Sequence, residues 1–570
     1  MKKFKLTFLI FIGFYSQFAI AQKPNSFVET LQKPNQWVDH EYKKMSRKHK
    51  IAQLFMVRAH SNLGKKYADS VARVIRKEQL GGVVFFQGGP VRQALISNQY
   101  QALAKVPLMI AMDAEWGLGM RLDSTISYPY QMTLGAIQDN ALVYKMGEQV
   151  AKDFKRLGMQ INFAPVMDVN NNPKNPVINY RSFGDNKNNV AQKGIVYMQG
   201  MQDAGLFTTA KHFPGHGDTD VDSHFDLPQL NFSPTRLDTL EMFPFKQAFS
   251  KGLSGVMVAH MSIPALDATP HIPSTLSKPI VTDILKNKLG FKGLVFSDAM
   301  GMKGVVKYFP NGQADVMGII AGNDVLELSE NSARAIKLIR KAIRHKQISW
   351  VDINQRVHKI LEAKYWMGLS NLKDIDTTNL IADLNPPEAN KLVQTLADAA
   401  ITVLQGAENL PIKTNQQTII VSVGVNATST FASDIQKVNP NITIINIPKN
   451  SSPADLEKIT TSLKNYAQII VDIHDERKRP ASTLDFSSEI QQFITQTASI
   501  NAYSVVFANP YTLSGFKGIT QSKSLLVAYQ NSPEMEHAAA NILLGNLKAT
   551  GKLPVTINGL FKTGDGISMK

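Results

Sequence analysis

The feature that most constrains the fold is a regular alternation of short apolar runs with longer amphipathic stretches between residues 51 and 328. Each run is apolar throughout, which is typical of parallel strands that are covered on both faces. The predicted strands are Ile51–Val57, Gly81–Phe86, Leu108–Asp113, Ile161–Val169, Leu206–Lys211, Gly255–His260, Gly293–Asp298 and Asp324–Leu328. Helical patterns separate most of them, for example over 90–103, 141–157 and 190–203. The alternation therefore predicts a (β/α)8 barrel.

The remainder of the chain predicts a second, smaller domain. A long helical pattern over 332–366 closes the barrel, and the polar stretch that follows contains Pro386-Pro387, which is typical of a linker. A second alternation of apolar runs and helices begins near Leu392 and indicates an open, flavodoxin-like α/β sandwich. The fold class is therefore α/β, with a TIM-like barrel at 22–370, a linker at 371–391 and a C-terminal α/β domain at 392–570.

Residues 1–21 have the pattern of a secretory signal peptide. Three lysines precede the apolar run Leu6–Ile12, and an A-x-A site at 19–21 predicts cleavage before Gln22. A membrane anchor is the alternative, but polar residues interrupt the run before it reaches about 20 residues. No later run is long enough to span a bilayer. The 570 residues include no cysteine, so we expect neither a disulfide nor a lipid-attachment site. We expect a periplasmic or secreted protein without a membrane span.

The composition restricts the classes of partner. The chain carries a net charge of +16, which favours anionic partners in general. Its lysines are dispersed and no nucleic-acid motif is visible, so we expect no nucleic-acid partner. An anionic cell-wall polymer suits an exported protein better, and a basic surface without a specific partner is the alternative.

Titratable side chains stand at the ends of several predicted strands. They are Asp113, Asp168, Lys211, His212, His260 and Asp298. Active sites of (β/α)8 barrels lie at these carboxyl-terminal ends, so the set indicates a catalytic site. Any single member could instead be a capping or ion-paired residue. We expect Asp168 to support Lys211 or Arg181, and His260 either to line the pocket floor or to be a satisfied near-core histidine.

The most unusual stretch is the loop Thr209–Pro228, which carries three histidines and four aspartates. One interpretation is a metal site, because His212 and His216 have ligand-like spacing. A proline and two glycines between 214 and 217 argue against the helix that would put both imidazoles on one face. A second interpretation is a structural loop whose charges satisfy one another.

The third interpretation of this loop is a catalytic acid/base. In Asp222-Ser223-His224 a carboxylate lies two residues from an imidazole, whose tautomer and charged form it could stabilise. Asp298 ends the seventh predicted strand among small neighbours, where its carboxylate could attack a carbon that is becoming an oxocarbenium ion. A nucleophile and a proton donor on opposite sides of a sugar form the arrangement of a retaining glycosidase.

Two longer motifs carry a family resemblance. K-H-F-P-G-H-G-D-T-D-V-D-S-H at 211–224 and F-S-D-A-M-G-M at 296–302 resemble the motifs of glycoside hydrolase family 3, in its β-N-acetylglucosaminidase (β-hexosaminidase) branch. The resemblance covers essentially the whole mature chain, in the two-domain form of the family. It implies that Asp298 is the nucleophile, His224 the general acid/base and Asp222 its orienting partner. It also implies that neither a metal nor another cofactor is needed.

The same resemblance implies a sugar pocket. Asp113, in M-D-A-E-W-G, is similar to the aspartate that holds sugar hydroxyls. The other residues that it implies for the pocket are Arg121, Arg181, Lys211 and His212. Two positions depart from the family pattern, because Trp116 replaces a usual glycine and Tyr180 a usual small or acidic residue. Both could narrow the pocket or add a stacking surface, so they leave the specificity for the leaving group open.

The expected activity is that of an exported retaining β-N-acetylglucosaminidase, which releases terminal GlcNAc from β-linked glycosides such as peptidoglycan fragments by double displacement. Phosphorolysis is an alternative, because a neutral histidine repels phosphate less than a glutamate would. A β-glucosidase has no evident need for the D-S-H dyad. A non-catalytic wall-binding protein would have no reason to combine Asp298, Asp222 and His224.

Overall fold

The structure, a computed structural model, describes residues 26–223, 225–475 and 485–569. The strands of its first sheet are β1 (Phe55–Ala59), β2 (Gly82–Phe85), β3 (Met109–Met112), β4 (Ile161–Asn162), β5 (Phe207–Phe213), β6 (Gly255–Val258), β7 (Leu294–Ser297) and β8 (Leu326–Glu327). All are parallel, in the order β7-β6-β5-β4-β3-β2-β1-β8. A parallel bridge between Phe296 and Val325 brings β7 to β8. The sheet is thus a nearly closed barrel, which confirms the predicted fold class.

Helices surround this barrel. Their bounds are Gly64–Glu78, Pro90–Leu103, Asn140–Arg156, Lys187–Asp203, Leu237–Glu241, Phe243–Phe249, Pro279–Lys288, Gln313–Ala321, Ser332–Arg344 and Trp350–Trp366. Local signals fix their starts. Pro90 is the first residue of its helix, and the Asn186 side chain accepts hydrogen bonds from the amides of Asn188 and Asn189. Where such signals are present, the helix begins close to where the sequence predicts.

The first predicted strand, 51–57, is partly wrong. Its opening residues belong to the helix Arg47–Ala52, and β1 begins four residues later than predicted. Ser46 caps this helix by accepting a hydrogen bond from the His49 amide at 3.2 Å. The apolar residues Ile51 and Ala52 are buried as part of that helix, so an apolar run alone did not separate helix from strand.

The fourth predicted strand, 161–169, is also shorter than expected, since only Ile161–Asn162 is regular strand. Pro165 has no amide proton to donate to a ladder. The chain nevertheless stays beside β5, where the Thr209 amide donates to the Ala164 carbonyl at 3.1 Å. This irregular stretch leads directly to Asp168.

A second sheet follows, built from β9 (Thr402–Gln405), β10 (Thr418–Val423), β11 (Thr443–Ile447), β12 (Gln468–His474), β13 (Tyr503–Phe507) and β14 (Ser524–Val527). Its order is β11-β10-β12-β13-β14-β9, and only the edge strand β9 runs antiparallel among the described residues. Helices Pro387–Ala400, Thr430–Val438, Pro453–Ser462, Ser488–Ser499 and Pro533–Leu544 accompany it. The first of these helices starts inside the predicted linker 371–391.

Loop residues of the C-terminal region contact the barrel segment between β4 and the helix Lys187–Asp203. The Asn509 amide donates to Asn179 Oδ1 at 2.5 Å, and the amide of Asn170 donates to the Tyr511 hydroxyl at 3.0 Å. Near the chain end, the Thr556 amide donates to Asp185 Oδ2 at 2.6 Å. The C-terminal half therefore holds the loop that carries Arg181. Within the part of the chain that the structure describes, no helix is long and apolar enough to cross a bilayer.

Candidate active site

A cavity of about 490 Å³ opens at the carboxyl-terminal ends of the barrel strands. Seven of the eight predicted site residues line it: Asp113, Arg121, Arg181, Lys211, His212, Asp222 and Asp298. The eighth, His224, lies outside the described residues. All the lining residues belong to the region 58–328, so in the described chain the second sheet supports the cavity without forming its wall.

Lys211, two residues before the end of β5, forms the centre of a charged cluster on one side of this cavity. Its side chain is 2% exposed, and its Nζ donates to Asp113 Oδ1 at 2.7 Å. The other oxygen of Asp113 accepts from Arg121 Nη2 at 3.0 Å. Burial alone would lower the pKa of Lys211, but the facing carboxylates of Asp113 and Glu115 raise it, so the ammonium stays charged.

Glu115 is a member of this cluster that the sequence reasoning missed. It is fully buried and receives two hydrogen bonds from Arg181, at 2.9 Å from Nε and 2.6 Å from Nη2. Lys211 Nζ lies 2.9 Å from its Oε1. Burial would raise the pKa of Glu115, but Arg181 and Lys211 hold it well below its usual range. This two-pronged pairing fixes the plane of the Arg181 guanidinium at the cavity wall.

Asp168 supports a different residue from those that the sequence suggested. Its Oδ2 lies 2.7 Å from His212 Nδ1, and its Oδ1 accepts from the His216 amide at 2.7 Å. The structure therefore pairs Asp168 with His212, not with Lys211 or Arg181. Against the effect of burial, His212 lowers the pKa of Asp168, which keeps this carboxylate ionised.

His216 is buried beside His212 and also lines the cavity, and both nitrogens of its ring lie near protein hydroxyls. Its Nδ1 lies 2.8 Å from the Thr219 hydroxyl, and its Nε2 lies 3.3 Å from the Ser223 hydroxyl. Burial, reinforced by His212, lowers the pKa of His216 to about 4. His216 is therefore neutral at neutral pH, and its contacts with Thr219 and Ser223 stabilise the loop. Among the described residues, no group of three or more acids and histidines is arranged to hold a metal ion.

Asp298 directly follows β7 and is half-buried at the cavity. Its amide donates to the Val258 carbonyl at 3.0 Å, and the Ala299 amide donates to its Oδ1 at 2.7 Å. The next backbone group is fixed as well, because the Ala299 carbonyl lies 3.0 Å from His260 Nε2. His260 does not line the cavity in the described structure, and it therefore matches the near-core alternative.

The second half of the histidine-rich loop also contributes residues to the cavity. Asp222 and Ser223 line it, and Phe225 lies at its mouth with 69% of its surface exposed. Lys303 approaches the Phe225 ring, with Nζ 6.0 Å from the ring centroid. An exposed aromatic ring at a polar cavity offers a stacking face for a sugar ring.

The two departures from the family pattern, Trp116 and Tyr180, both line the cavity and join one aromatic group. Tyr130 lies between them, with ring centroids 4.9 Å from Trp116 and 4.7 Å from Tyr180. Trp116 follows Glu115 in the chain and Tyr180 precedes Arg181, so the group lies next to this ion pair. Trp116 and Tyr180 therefore give this cavity an aromatic surface.

Comparisons with known proteins identify the family. The model of the glycosyl hydrolase family 3 N-terminal domain matches residues 47–363. A beta-hexosaminidase A of Pseudoalteromonas piscicida is 26% identical over 551 residues, which cover 86% of this chain and 91% of that protein. A beta-hexosaminidase of Nitrosomonas eutropha is 33% identical over 239 residues, or 40% of this chain and 68% of that protein.

A solved structure is similar over nearly the full length. It is a glycoside hydrolase family 3 beta-N-acetylglucosaminidase from Paenibacillus sp. str. FPU-7, with 27% identity and a TM-score of 0.75. The match covers 90% of this chain and 99% of that one. With a family model that spans more than half of the sequence and a barrel cavity that carries the family's motifs, the chain belongs to glycosyl hydrolase family 3.

Proposed function

We propose that this glycoside hydrolase is a retaining β-N-acetylglucosaminidase that releases terminal GlcNAc from β-linked glycosides. The observation that carries the proposal is the position of Asp298, whose carboxylate faces the same cavity as the Lys211 cluster. The names of the similar proteins, beta-hexosaminidase and beta-N-acetylglucosaminidase, support the choice of sugar.

The proposed reaction has two steps. Asp298 attacks the anomeric carbon and forms a bond to it, while His224 gives its proton to the departing glycosidic oxygen. His224 then takes a proton from a water molecule, which attacks the anomeric carbon and releases Asp298 as a carboxylate. Asp222 is assigned the role of orienting His224 and stabilising its charged form.

The charged cluster supplies the binding energy that orients the sugar. One carboxylate oxygen of Asp113 accepts a hydrogen bond from Lys211 and the other accepts from Arg121, so the remaining lone pairs point in fixed directions. Arg181 is held by Glu115 in the same way. A sugar hydroxyl that enters this frame meets donors and acceptors that need no rearrangement, which favours the reactive orientation over others.

We further propose that the enzyme is exported and acts on peptidoglycan fragments. The supporting observations are the signal-peptide pattern at 1–21, which lies outside the described residues, and the positive charge. The net charge is +16 for the full sequence and +13 without the three lysines of the signal pattern, which favours an anionic polymer. Cell fractionation tests export directly, with N-terminal sequencing of the mature protein to find whether it begins at Gln22. Recovery in the cytoplasm with Met1 intact would contradict this part of the proposal.

The activity is tested with a panel of chromogenic β-glycosides of GlcNAc, GalNAc, glucose and xylose, each with and without phosphate. We expect the highest kcat/KM on the GlcNAc substrate and free sugar as its product. Asp298→Ala should lower kcat by at least about a thousand-fold, as loss of a nucleophile does. The matched control is Asp283→Ala, at an exposed aspartate on the helix Pro279–Lys288, which should leave kcat unchanged.

Two outcomes would overturn the proposal. Equal activity of wild type and Asp298→Ala would remove Asp298 from the mechanism. Sugar 1-phosphate as the main product in the presence of phosphate would replace hydrolysis with phosphorolysis.

A further inference from the structure

Glu327, at the end of β8, is a carboxyl group that the mechanism above leaves unused. It is 3% exposed and lines the same cavity as Asp298. Its backbone is fixed beside the loop that carries Asp298. The Glu327 amide donates to the Ser297 hydroxyl at 3.0 Å, and the Glu327 carbonyl accepts from the Met300 amide at 2.8 Å. Its place at the cavity is therefore determined by the barrel itself and not by a loose loop.

One oxygen of the Glu327 carboxyl lacks the hydrogen-bond partner that a buried carboxyl oxygen normally has. Its Oε1 is buried and has no hydrogen-bond partner among the described residues. Such groups are rare, and each calls for an explanation. Because Glu327 lines an open cavity, a group that enters the cavity can provide the missing partner.

The surroundings of Glu327 oppose a negative charge. Burial, together with the nearby carboxylates of Asp113 and Asp298, raises the pKa of Glu327 well above its usual range, and Lys211 only partly opposes this. Lys211 already faces two carboxylates at 2.7 and 2.9 Å. The charged or titratable residues that line the cavity with Glu327 are Arg58, Asp113, Glu115, Arg121, Tyr180, Arg181, Lys211, His212, His216, Asp222 and Asp298.

We propose that Glu327 is a substrate-binding residue that, as a neutral carboxylic acid, donates its proton in a hydrogen bond to an oxygen of the bound sugar. Ionised Asp113 and Glu115 can only accept hydrogen bonds, whereas a protonated carboxyl both donates and accepts. The cavity would thus present a donor next to Asp298 without placing a second negative charge beside it. This assignment rests on the proposed glycosidase function.

The test compares Glu327→Gln with Glu327→Leu on the chromogenic GlcNAc substrate, from acidic to alkaline pH. Gln keeps a neutral donor of the same shape, so its kcat/KM should stay within about three-fold of wild type below neutral pH. Leu leaves the sugar oxygen without a partner, so kcat/KM should fall by about 10- to 100-fold. Wild-type activity should fall on the alkaline side as the general acid His224 and Glu327 both lose their protons. Glu327→Gln keeps only the His224 part of this fall, so the ratio of its kcat/KM to that of wild type should rise with pH.

A control variant separates this fall from the titration of other buried acids. Asp153, on the helix Asn140–Arg156, is buried outside the cavity, and burial raises its pKa to about 7. Asp153→Asn should keep the alkaline fall of the wild type. Thermal unfolding of each variant identifies any that does not fold. If Glu327→Leu does not fold, the pH profile of Glu327→Gln alone tests the assignment.

Two results would overturn the assignment. One is Glu327→Gln as inactive as Glu327→Leu, which would mean that an ionised carboxylate is required. The other is a ratio of kcat/KM between Glu327→Gln and wild type that stays constant from acidic to alkaline pH. A wild-type enzyme that hydrolyses none of the glycosides would instead refute the proposed function, and these outcomes are therefore distinguishable.

Discussion

Replacing Glu115 with glutamine tests whether the buried charged cluster organises the sugar site. Gln keeps the shape of Glu115 but removes its charge, so Arg181 and Lys211 lose a shared anion at 2.6 to 2.9 Å. Both cations are largely buried, with side chains 16% and 2% exposed. Removing one partner of a buried pair typically destabilises a protein by about 3–5 kcal/mol, because the remaining charge is uncompensated.

The measurements are urea unfolding and kcat/KM on the chromogenic GlcNAc substrate. We expect Glu115→Gln to lose about 3–5 kcal/mol of unfolding free energy. If the misplaced cations also cost about 3 kcal/mol of transition-state stabilisation, kcat/KM falls by about 100-fold. The matched control is Asp69→Asn, because the Lys65–Asp69 pair is also 2.6 Å long but its side chains are 87% and 35% exposed. That variant should unfold at nearly the same urea concentration as wild type, because an exposed ion pair contributes little.

The dependence of this effect on pH has a definite sign. The pKa of Glu115 is held well below its usual range in the folded protein, so its stabilising contribution is complete above the unfolded pKa and is lost as pH falls. The difference in unfolding free energy between wild type and Glu115→Gln should therefore narrow at acidic pH. Equal, small losses for Glu115→Gln and Asp69→Asn would refute the reasoning.

Three further predictions concern groups outside this cluster. Burial raises the pKa of Asp315 to about 7, so folding favours its protonated form, and this contribution to stability is lost as pH rises toward that value. Asn stays neutral at every pH. The unfolding free energy of Asp315→Asn should therefore rise relative to that of wild type between about pH 4 and 7, by up to about 4 kcal/mol. Tyr511→Phe removes the hydroxyl that accepts from Asn170 and should lower the unfolding free energy by about 1 kcal/mol, without abolishing activity. Phe225→Ala should raise KM for oligosaccharides more than for small chromogenic substrates, and leave the melting temperature unchanged because the ring is exposed.

The fold was largely predictable because its signals are local. Continuous apolar runs, a first-turn proline at Pro90 and a capping side chain at Asn186 are all legible within a few residues. The errors arose where two structures share one signal. The apolar run after residue 51 belongs to a helix before it becomes β1, since burial on a helix face and burial in a strand select the same residues.

The site was predictable to the extent that its residues stand at strand ends within recognisable motifs. The hydrogen-bond partners of these residues were less predictable, because they depend on which strand ends lie close together at the barrel opening. Asp168 proved to pair with His212, although the sequence placed Lys211 equally near. Glu115 and Glu327 were missed. Each had a signal: Glu115 lies two residues after Asp113, and Glu327 is a charge inside an apolar run at the end of a barrel strand.

The central claim is that Asp298 forms a covalent bond to the sugar, and the most direct measurement is the mass of the acid-quenched enzyme. Wild type would be mixed with an activated aryl β-GlcNAc substrate, quenched in acid within the first turnovers, digested and examined by mass spectrometry. The account predicts the added mass of one N-acetylhexosamine residue on the peptide that carries Asp298, and none in Asp298→Ala. Full catalytic turnover with the added mass on another residue would contradict it.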